Sequence, residues 1–353
     1  MERNLTIHGL RGLCALLVLC AHVYGMSVTG GVIKGETRLG AMGVNIFFMI
    51  SGFVIPLGLM KYNNIRDFFV NRILRIYPVF LTLHLIVFLV GPIIGYEWLK
   101  NIGFVAYIKG FFSNLFLLPG IFKLPIAQKN AWSLSYEAVF YIIMSMLFLV
   151  NTKPIKNISR YILYGFWIVI SGIIIYYHPR TLYFAAGVLG FYISYKQVKI
   201  SKYLVYSNPF VFLVMLIFLK SNFYISLALS TLFFIPLVIE QGFMSKLLKT
   251  KWFKYYGDIS YSLYLIHPFA LYPFKMIFSK YSQYIIANNL QSVTILVFAI
   301  VGLIVSTGLS HLSYIYIEGW FTRRLKKYIY GGVYSVVADN GGDIKREATN
   351  AGL

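Results

Sequence analysis

Ten apolar runs of spanning or near-spanning length follow one another along 353 residues, and they leave this chain few ways to fold. They fall at about 8–27, 40–60, 76–95, 133–150, 161–178, 182–195, 204–220, 223–240, 257–278 and 290–317. A run of about 20 apolar residues crosses the hydrocarbon core of a bilayer as a helix. Within that layer every backbone N–H and C=O must be satisfied inside the segment, which a helix achieves and an open strand does not. The expected fold class is all-α integral membrane, with about ten transmembrane helices. The sixth run is short and reads as tilted or broken. A further apolar stretch near 104–118 contains Lys109 and Asn114 and reads as an external re-entrant or interfacial segment.

Charge orients the bundle. The chain has 32 Lys and Arg against 11 Asp and Glu, a net charge of +21. That excess would suit nucleic acid if it formed a stripe on a soluble face. Instead the charges sit in short connections between apolar runs, and only 12% of residues are charged against about a quarter in soluble domains. The pattern excludes nucleic acid as a partner and points to the lipid bilayer. With the N-terminus cytoplasmic, every second connection is basic. Arg3 and Arg11, then Lys61, Arg66, Arg72 and Arg75, then Lys153, Lys156 and Arg160 fall inside. So do Lys196, Lys199 and Lys202, Lys246 to Lys254, and Arg323 to Lys327. This is the positive-inside distribution, and it places both termini in the cytoplasm.

Residues 1–327 are expected to form one membrane domain, and 328–353, polar and low in apolar content, a disordered cytoplasmic tail. The first run resembles a signal peptide in following Arg3 and Arg11. It holds His22, however, and leads into Tyr-Gly-Met rather than a small-x-small cleavage site, so it is expected to be retained. No inverted repeat of the transporter kind is visible. Cys14 and Cys20 lie about 240° apart on one helix and cannot pair with each other, and no metal-ligand spacing occurs.

Ionisable residues inside apolar runs are costly and mark sites or structural pairs. Arg11 and His22 are eleven positions apart, about three turns plus roughly 20°, and so share a face about 16 Å apart along the axis. A polar site and a snorkelling Arg with a hydrogen-bonded structural His both fit these two residues. The second run reads Gly43-Val-Asn-Ile-Phe-Phe-Met-Ile-Ser51-Gly52-Phe53, whose small residues let a helix or a ligand approach closely. In the connection after it, Arg72 and Arg75 share a face at i, i+3, and Pro78 is expected to end or kink the local helix. Guanidinium pairs suit phosphate, and positive-inside anchoring accounts equally for either arginine alone.

The fourth run opens Trp132-Ser133-Leu-Ser135-Tyr136-Glu137, with Ser133, Glu137 and Tyr141 on one face. Helix capping by Ser133 and Glu137 is one account of this, and a polar site the other. The ninth run reads Gly257-Asp258-Ile-Ser260-Tyr261-Ser-Leu-Tyr264-Leu-Ile-His267-Pro268, placing His267 roughly 15 Å from the cytoplasmic edge, near the depth of His22. The tenth ends with Ser310, Tyr314 and Glu318 on every fourth residue. Interhelical hydrogen bonding explains the last two clusters better than a site does.

Six of these motifs come in one family's order. They are Arg11-x10-His22, Gly-Val-x-x-Phe-Phe-x-x-Ser-Gly-Phe at 43–53, Arg72-x-x-Arg75-x-x-Pro78 and Trp132-Ser-Leu-Ser-Tyr-Glu137. Ser260 to Pro268 and the Ser310/Tyr314/Glu318 stripe complete the set. Over residues 5–325 the chain resembles the membrane-bound acyltransferase-3 family. The resemblance implies ten core helices, a bacterial inner-membrane location, an acyl-CoA donor (most commonly acetyl-CoA) and transfer to a hydroxyl of a cell-surface glycan. It implies that Arg11 and His22 are essential, and a stand-alone form without the soluble esterase-like domain of some relatives.

Joined to the residues, it gives a mechanism. Acyl-CoA enters from the cytoplasm with its phosphates near Arg11, Arg72 and Arg75. His22 accepts a proton from the acceptor hydroxyl, whose oxygen attacks the thioester; an acyl-His intermediate is the variant. Glu137 orients His22 or binds the acceptor, Ser133 or Tyr264 donates to the oxyanion, and His267 completes the substrate-binding set. A transporter of lipid-linked sugar or a small solute is the rival reading. It would share the spans and buried charges, but it has no need of an arginine cluster aligned with one membrane His.

Overall fold

The computed structural model describes residues 3–28, 38–218 and 222–330, and among them there is no β-strand. The helices are α1 (Leu5–Val28), α2 (Arg38–Tyr62), α3 (Ile65–Ile94), α4 (Phe104–Leu115), α5 (Trp132–Thr152), α6 (Asn157–Tyr177) and α7 (Leu182–Tyr195). They continue as α8 (Lys202–Tyr206), α9 (Asn208–Ile217), α10 (Phe223–Val238), α11 (Gly242–Leu248), α12 (Lys251–Lys280), α13 (Ser282–Ala287) and α14 (Gln291–Ser313). A π-helix over Tyr314–Phe321 joins α14 to α15 (Thr322–Ile329). The chain is an all-α, multi-pass membrane protein.

All ten apolar runs are helical. Six helices are long and apolar enough to cross a membrane: α1, α2, α3, α5, α6 and the composite of α14 to α15; α10 with α11 makes a seventh if counted as one span bent by 73°. The sixth run is the 14-residue α7, and the seventh is divided between α8 and the 10-residue α9. The ninth becomes the 30-residue α12, whose Tyr, Ser and His content lowers its hydropathy. Residues 331–353, most of the expected tail, lie outside the described residues.

The third run departs most from expectation. Arg72 and Arg75 are not in a connection: α3 starts two turns earlier, where the Asn64 side chain caps it by accepting from the Arg66 N–H at 2.9 Å. Pro78 does not end the helix either. It lies inside α3, where it lacks only its own N–H, and the helix runs on to a left-handed Gly95 (φ 67°). The stretch near 104–118 is a helix tied down by the buried Asn114. That side chain donates to the carbonyls of Gly110 and Pro125 and accepts from the Ala127 N–H.

Lipid is as apolar as leucine, so helices in a bilayer associate through close packing and polar contacts rather than through the hydrophobic effect. Here α1 is central, packed chiefly on α12 and α2, and α2 packs on α7. Both contacts depend on missing side chains. A Cβ on Gly12 would lie 2.7 Å from the backbone N of Gly257, and one on Gly187 would overlap the Met49 carbonyl. Leu10, Cys14 and Ala15 of α1 and Ile46 and Met49 of α2 are wholly buried. At the periphery, α6 buries no residue and exposes Phe166, Ile168 and Val169 as a lipid-facing surface. Cys14 and Cys20 are both free thiols.

Candidate active site

A cavity lies between α1, α2, α3, α5 and α12. It gathers Arg11, Arg72, Arg75, Ser133, Glu137 and Tyr264, six of the eight residues singled out in the sequence, together with Ser51, Tyr141, Ser260 and Tyr261. The other two, His22 and His267, stand behind Tyr264, whose ring centroid is 6.4 Å from that of His267.

The arginines come from α1 and α3. None of the three makes a hydrogen bond or an ion pair among the described residues. Arg72 is only 8% exposed, and its guanidinium stands over the rings of Phe68 at 5.2 Å and Tyr141 at 5.8 Å. Its Nε has no hydrogen-bond partner. Gly58 leaves room for it, since a Cβ there would sit 2.7 Å from an Arg72 terminal nitrogen. Among the described lining residues three guanidinium groups face one carboxylate, Glu137, which leaves the cavity an excess of positive charge that suits an anion.

Glu137 lines the same cavity. Its carboxylate accepts from the hydroxyls of Ser51 at 2.9 Å and Tyr141 at 2.5 Å. This corrects two expectations. Glu137 does not orient His22, because its partners lie across the cavity on α2 and one turn along α5. Nor do Ser133 and Glu137 cap α5, whose N-cap Ala131 has no side-chain bond and whose Ser133 hydroxyl reaches the Asn130 carbonyl. Gly43 and Gly52, by contrast, serve helix packing, against α1 and α7 respectively.

At Ser133 and Tyr264 the cavity meets a hydrogen-bonded chain. The Ser133 and Tyr264 hydroxyls are 2.8 Å apart, and both reach the Asn130 carbonyl at 3.1 Å. The Asn130 amide donates to the Tyr264 carbonyl at 2.8 Å and to His267 Nε2 at 3.3 Å. The His267 ring meets that of His22 edge to face, centroids 4.8 Å apart. His22 Nδ1 is 2.9 Å from the Val18 carbonyl, and His267 Nδ1 is 2.8 Å from that of Leu263. A carbonyl only accepts, so both imidazoles hold their proton on Nδ1, which leaves Nε2 as the basic nitrogen of each. His267 lies about 24 Å from the start of α12 at 1.5 Å per residue, since that helix begins at Lys251.

The sequence missed Asn130, which lies in a connection and has no periodicity to betray it. The Ser310/Tyr314/Glu318 stripe also resolves differently. The π-helix replaces a four-residue with a five-residue repeat, so Ser313 and Glu318 are the pair that meets α12. Ser262 donates to Glu318 at 2.5 Å and is 2.8 Å from Ser313, whereas Ser310 turns back to the Ser306 carbonyl. Near the start of α1, His8 Nε2 sits 3.0 Å from Asp258, with Arg3 at 3.5 Å from the same oxygen.

Residues 4–311 match the acyltransferase domain family, acyltransferase-3. The chain is 28% identical over 164 residues to the acyltransferase MdmB of Streptomyces mycarofaciens, covering 43% of this chain and 41% of that one. It is 30% identical over 165 residues to the peptidoglycan O-acetyltransferase OatA of Listeria monocytogenes, covering 43% of this chain and 25% of that one. These matches therefore span less than half the length of either curated relative. No solved structure matches the chain. A match that takes in the arginine cavity, both imidazoles and every helix from α1 to most of α14 leaves one conclusion: the chain belongs to the acyltransferase-3 family of membrane acyltransferases.

Proposed function

We propose that this protein moves an acyl group, acetyl in the simplest case, from acyl-CoA to a hydroxyl of a cell-surface or lipid-linked polysaccharide, in the inner membrane of a bacterium. The observation that supports this reading is the cavity itself. Three arginines line it on the cytoplasmic side, with Glu137 the one carboxylate among its described lining residues, and it ends at hydroxyls linked through Asn130 to the His22–His267 pair.

The CoA phosphates, arriving from the cytoplasm, engage Arg11, Arg72 and Arg75, whose planar forks match phosphate oxygens. The thioester then extends along the cavity towards Ser133 and Tyr264. His22 Nε2 takes the proton of the acceptor hydroxyl as its oxygen attacks the thioester carbonyl. The hydroxyls of Ser133 and Tyr264 donate to the resulting oxyanion. When the C–S bond breaks, the sulfur leaves with the proton held by His22, which returns the imidazole to its neutral form. Glu137, fixed by Ser51 and Tyr141, sets the wall of the acyl channel and balances the arginine charge. The names of the relatives OatA and MdmB, an O-acetyltransferase and an acyltransferase, agree with the reaction class.

The test is transfer of labelled acetyl from acetyl-CoA to envelope glycan in membranes containing the protein, compared with His22→Ala at matched expression. Label should appear with the wild type and fall about 10²–10⁴-fold in the variant, the usual contribution of a positioned base. Equal label in both would remove His22 from the chemistry, and none in either would overturn the reaction.

A further inference from the structure

The end of the cavity farthest from Arg72 is lined by apolar side chains as well as by hydroxyls. α2 and α5 run side by side in the same direction, since Ser51 meets Glu137 while Phe48, before it, meets Trp132 and Tyr136. Tyr141 lies beside Arg72, and Ser133 is eight residues, or about 12 Å, back along α5. Around Ser133 the lining residues from α2 are Val44, Phe47 and Phe48, and α5 adds Leu134. Phe47 turns to the hydroxyl side, its ring edge to face with that of Tyr264 and the centroids 5.7 Å apart. Phe48 turns the other way, towards α5 and α7.

Phe48 is clamped there by other rings. It stacks on Phe184 with centroids 4.5 Å apart and planes at 21°, and meets Trp132 at 6.0 Å and Tyr136 at 5.8 Å. Phe184 is stacked in turn on Phe140 at 4.5 Å, and Phe48 and Phe184 are 3% and 2% exposed. A ring packed in this way cannot swing aside without displacing its neighbours, so it presents a fixed wall to the cavity.

We propose that Phe48, with Val44 and Leu134, forms the floor of the acyl pocket and sets the length of chain that the enzyme accepts: acetyl or propionyl, but not hexanoyl. The inference rests on acyl-CoA as the donor, as read above. With the CoA phosphates at the arginines and the thioester carbonyl at Ser133 and Tyr264, the acyl chain points on to this floor. Val44 lies four residues beyond Phe48 on the same face of α2, which gives the pocket a depth of about 6 Å. Val44, Phe48 and Leu134 offer no polar side chain to a sugar, whose hydroxyls would be buried there at a cost, so the acceptor is kept to the Tyr264 side. A short acyl chain fills the floor with apolar contacts, whereas a longer one must overpack it.

The full-length protein in phosphatidylcholine nanodiscs would be titrated with CoA, acetyl-CoA and hexanoyl-CoA, with empty nanodiscs to subtract partition of the hexanoyl chain into lipid. The wild type should bind hexanoyl-CoA at least about tenfold more weakly than acetyl-CoA, the scale of an overpacked site. Phe48→Leu should narrow that gap, and Phe48→Ala should close or reverse it. Because Phe48→Ala empties a packed position, Phe48→Leu carries the test at a smaller cost to the fold. Phe53→Leu provides the comparison: Phe53 is 2% exposed on the same helix, packs on Phe234 at 6.4 Å and does not line the cavity. It should keep the wild-type ratio, so a general loosening of α2 is told apart from a shortened floor. A wild type that binds both thioesters equally would overturn the proposal and leave the donor reading standing. So would a preference that survives at Phe48→Leu with acetyl-CoA binding intact, or a ratio that Phe53→Leu shifts as far. A wild type that binds no acyl-CoA at all would overturn the donor reading, and the acyl pocket with it.

Discussion

Replacing Arg72 by Met should weaken acyl-CoA binding without loosening the empty protein. In the structure Arg72 is buried, its Nε is unsatisfied and it has no ion-pair partner. An unsatisfied buried donor costs about 1–3 kcal/mol. The stacking of its guanidinium on Phe68 and Tyr141 returns about 0.5–1 kcal/mol for each ring. Met keeps much of the stem volume and adapts to the gap. Net stability without ligand should therefore stay within about 1 kcal/mol of the wild type on the low side and rise by up to about 2 kcal/mol. Hydrogen bonds to charged groups contribute roughly 1.5–3 kcal/mol, so the acyl-CoA Kd should rise about 10- to 150-fold. Denaturation with and without acetyl-CoA separates the two effects. At 100 times the wild-type Kd the ligand stabilises the wild type by about 2.7 kcal/mol, whereas a variant bound 100-fold more weakly gains only about 0.4 kcal/mol. A variant that is markedly less stable when empty yet keeps the full ligand shift would refute the assignment of Arg72 to the donor phosphates.

Two further outcomes follow from the same geometry. Arg11→Lys keeps the charge but loses the planar fork, so the acyl-CoA Kd should rise about tenfold with turnover at saturation little changed, as measured by steady-state transfer over a range of donor concentrations. Gly187→Ala drives a methyl into the Met49 carbonyl and should destabilise by about 1–3 kcal/mol in a chemical-denaturation series, whereas Gly165→Ala on α6, with nothing within 4 Å, should be neutral or gain up to about 1 kcal/mol of helix propensity.

The parts of this site that were legible in the sequence are those where an ionisable or hydroxyl residue interrupts an apolar run. Arg11, Ser133, Glu137 and Tyr264 announce themselves because lipid makes them costly, and they do line one cavity. What could not be read was azimuth between helices. Spacing along α5 puts Glu137 and Ser133 on one face, but only packing decides that this face meets Ser51 rather than His22. Arg72 and Arg75 were read as lying in a connection because basic residues beside an apolar run serve equally as interfacial anchors. Their place inside the helix depends on the cap at Asn64, about two turns before Arg72. The stripe through Ser310, Tyr314 and Glu318 was read at four-residue spacing, and the π-helix defeats any reading that assumes a uniform helical repeat. Asn130, in a connection, had no pattern to be found by.

The contrast between α6 and the helices at the centre bears on how this sequence is free to diverge. α6 packs chiefly on α5, its neighbour in the chain, and buries none of its 21 residues. Lipid asks of it only length and greasiness, so exchanges among Ile, Val, Phe and Leu there change almost nothing. α1 is hemmed in by α2, α12 and α14 and lies against two of the glycine-dependent crossings, so almost any enlargement must displace a neighbouring backbone. Selection will therefore hold the N-terminal quarter of the chain nearly still while the stretch from 157 to 177 drifts, and the divergence of distant relatives should be concentrated in that outer span.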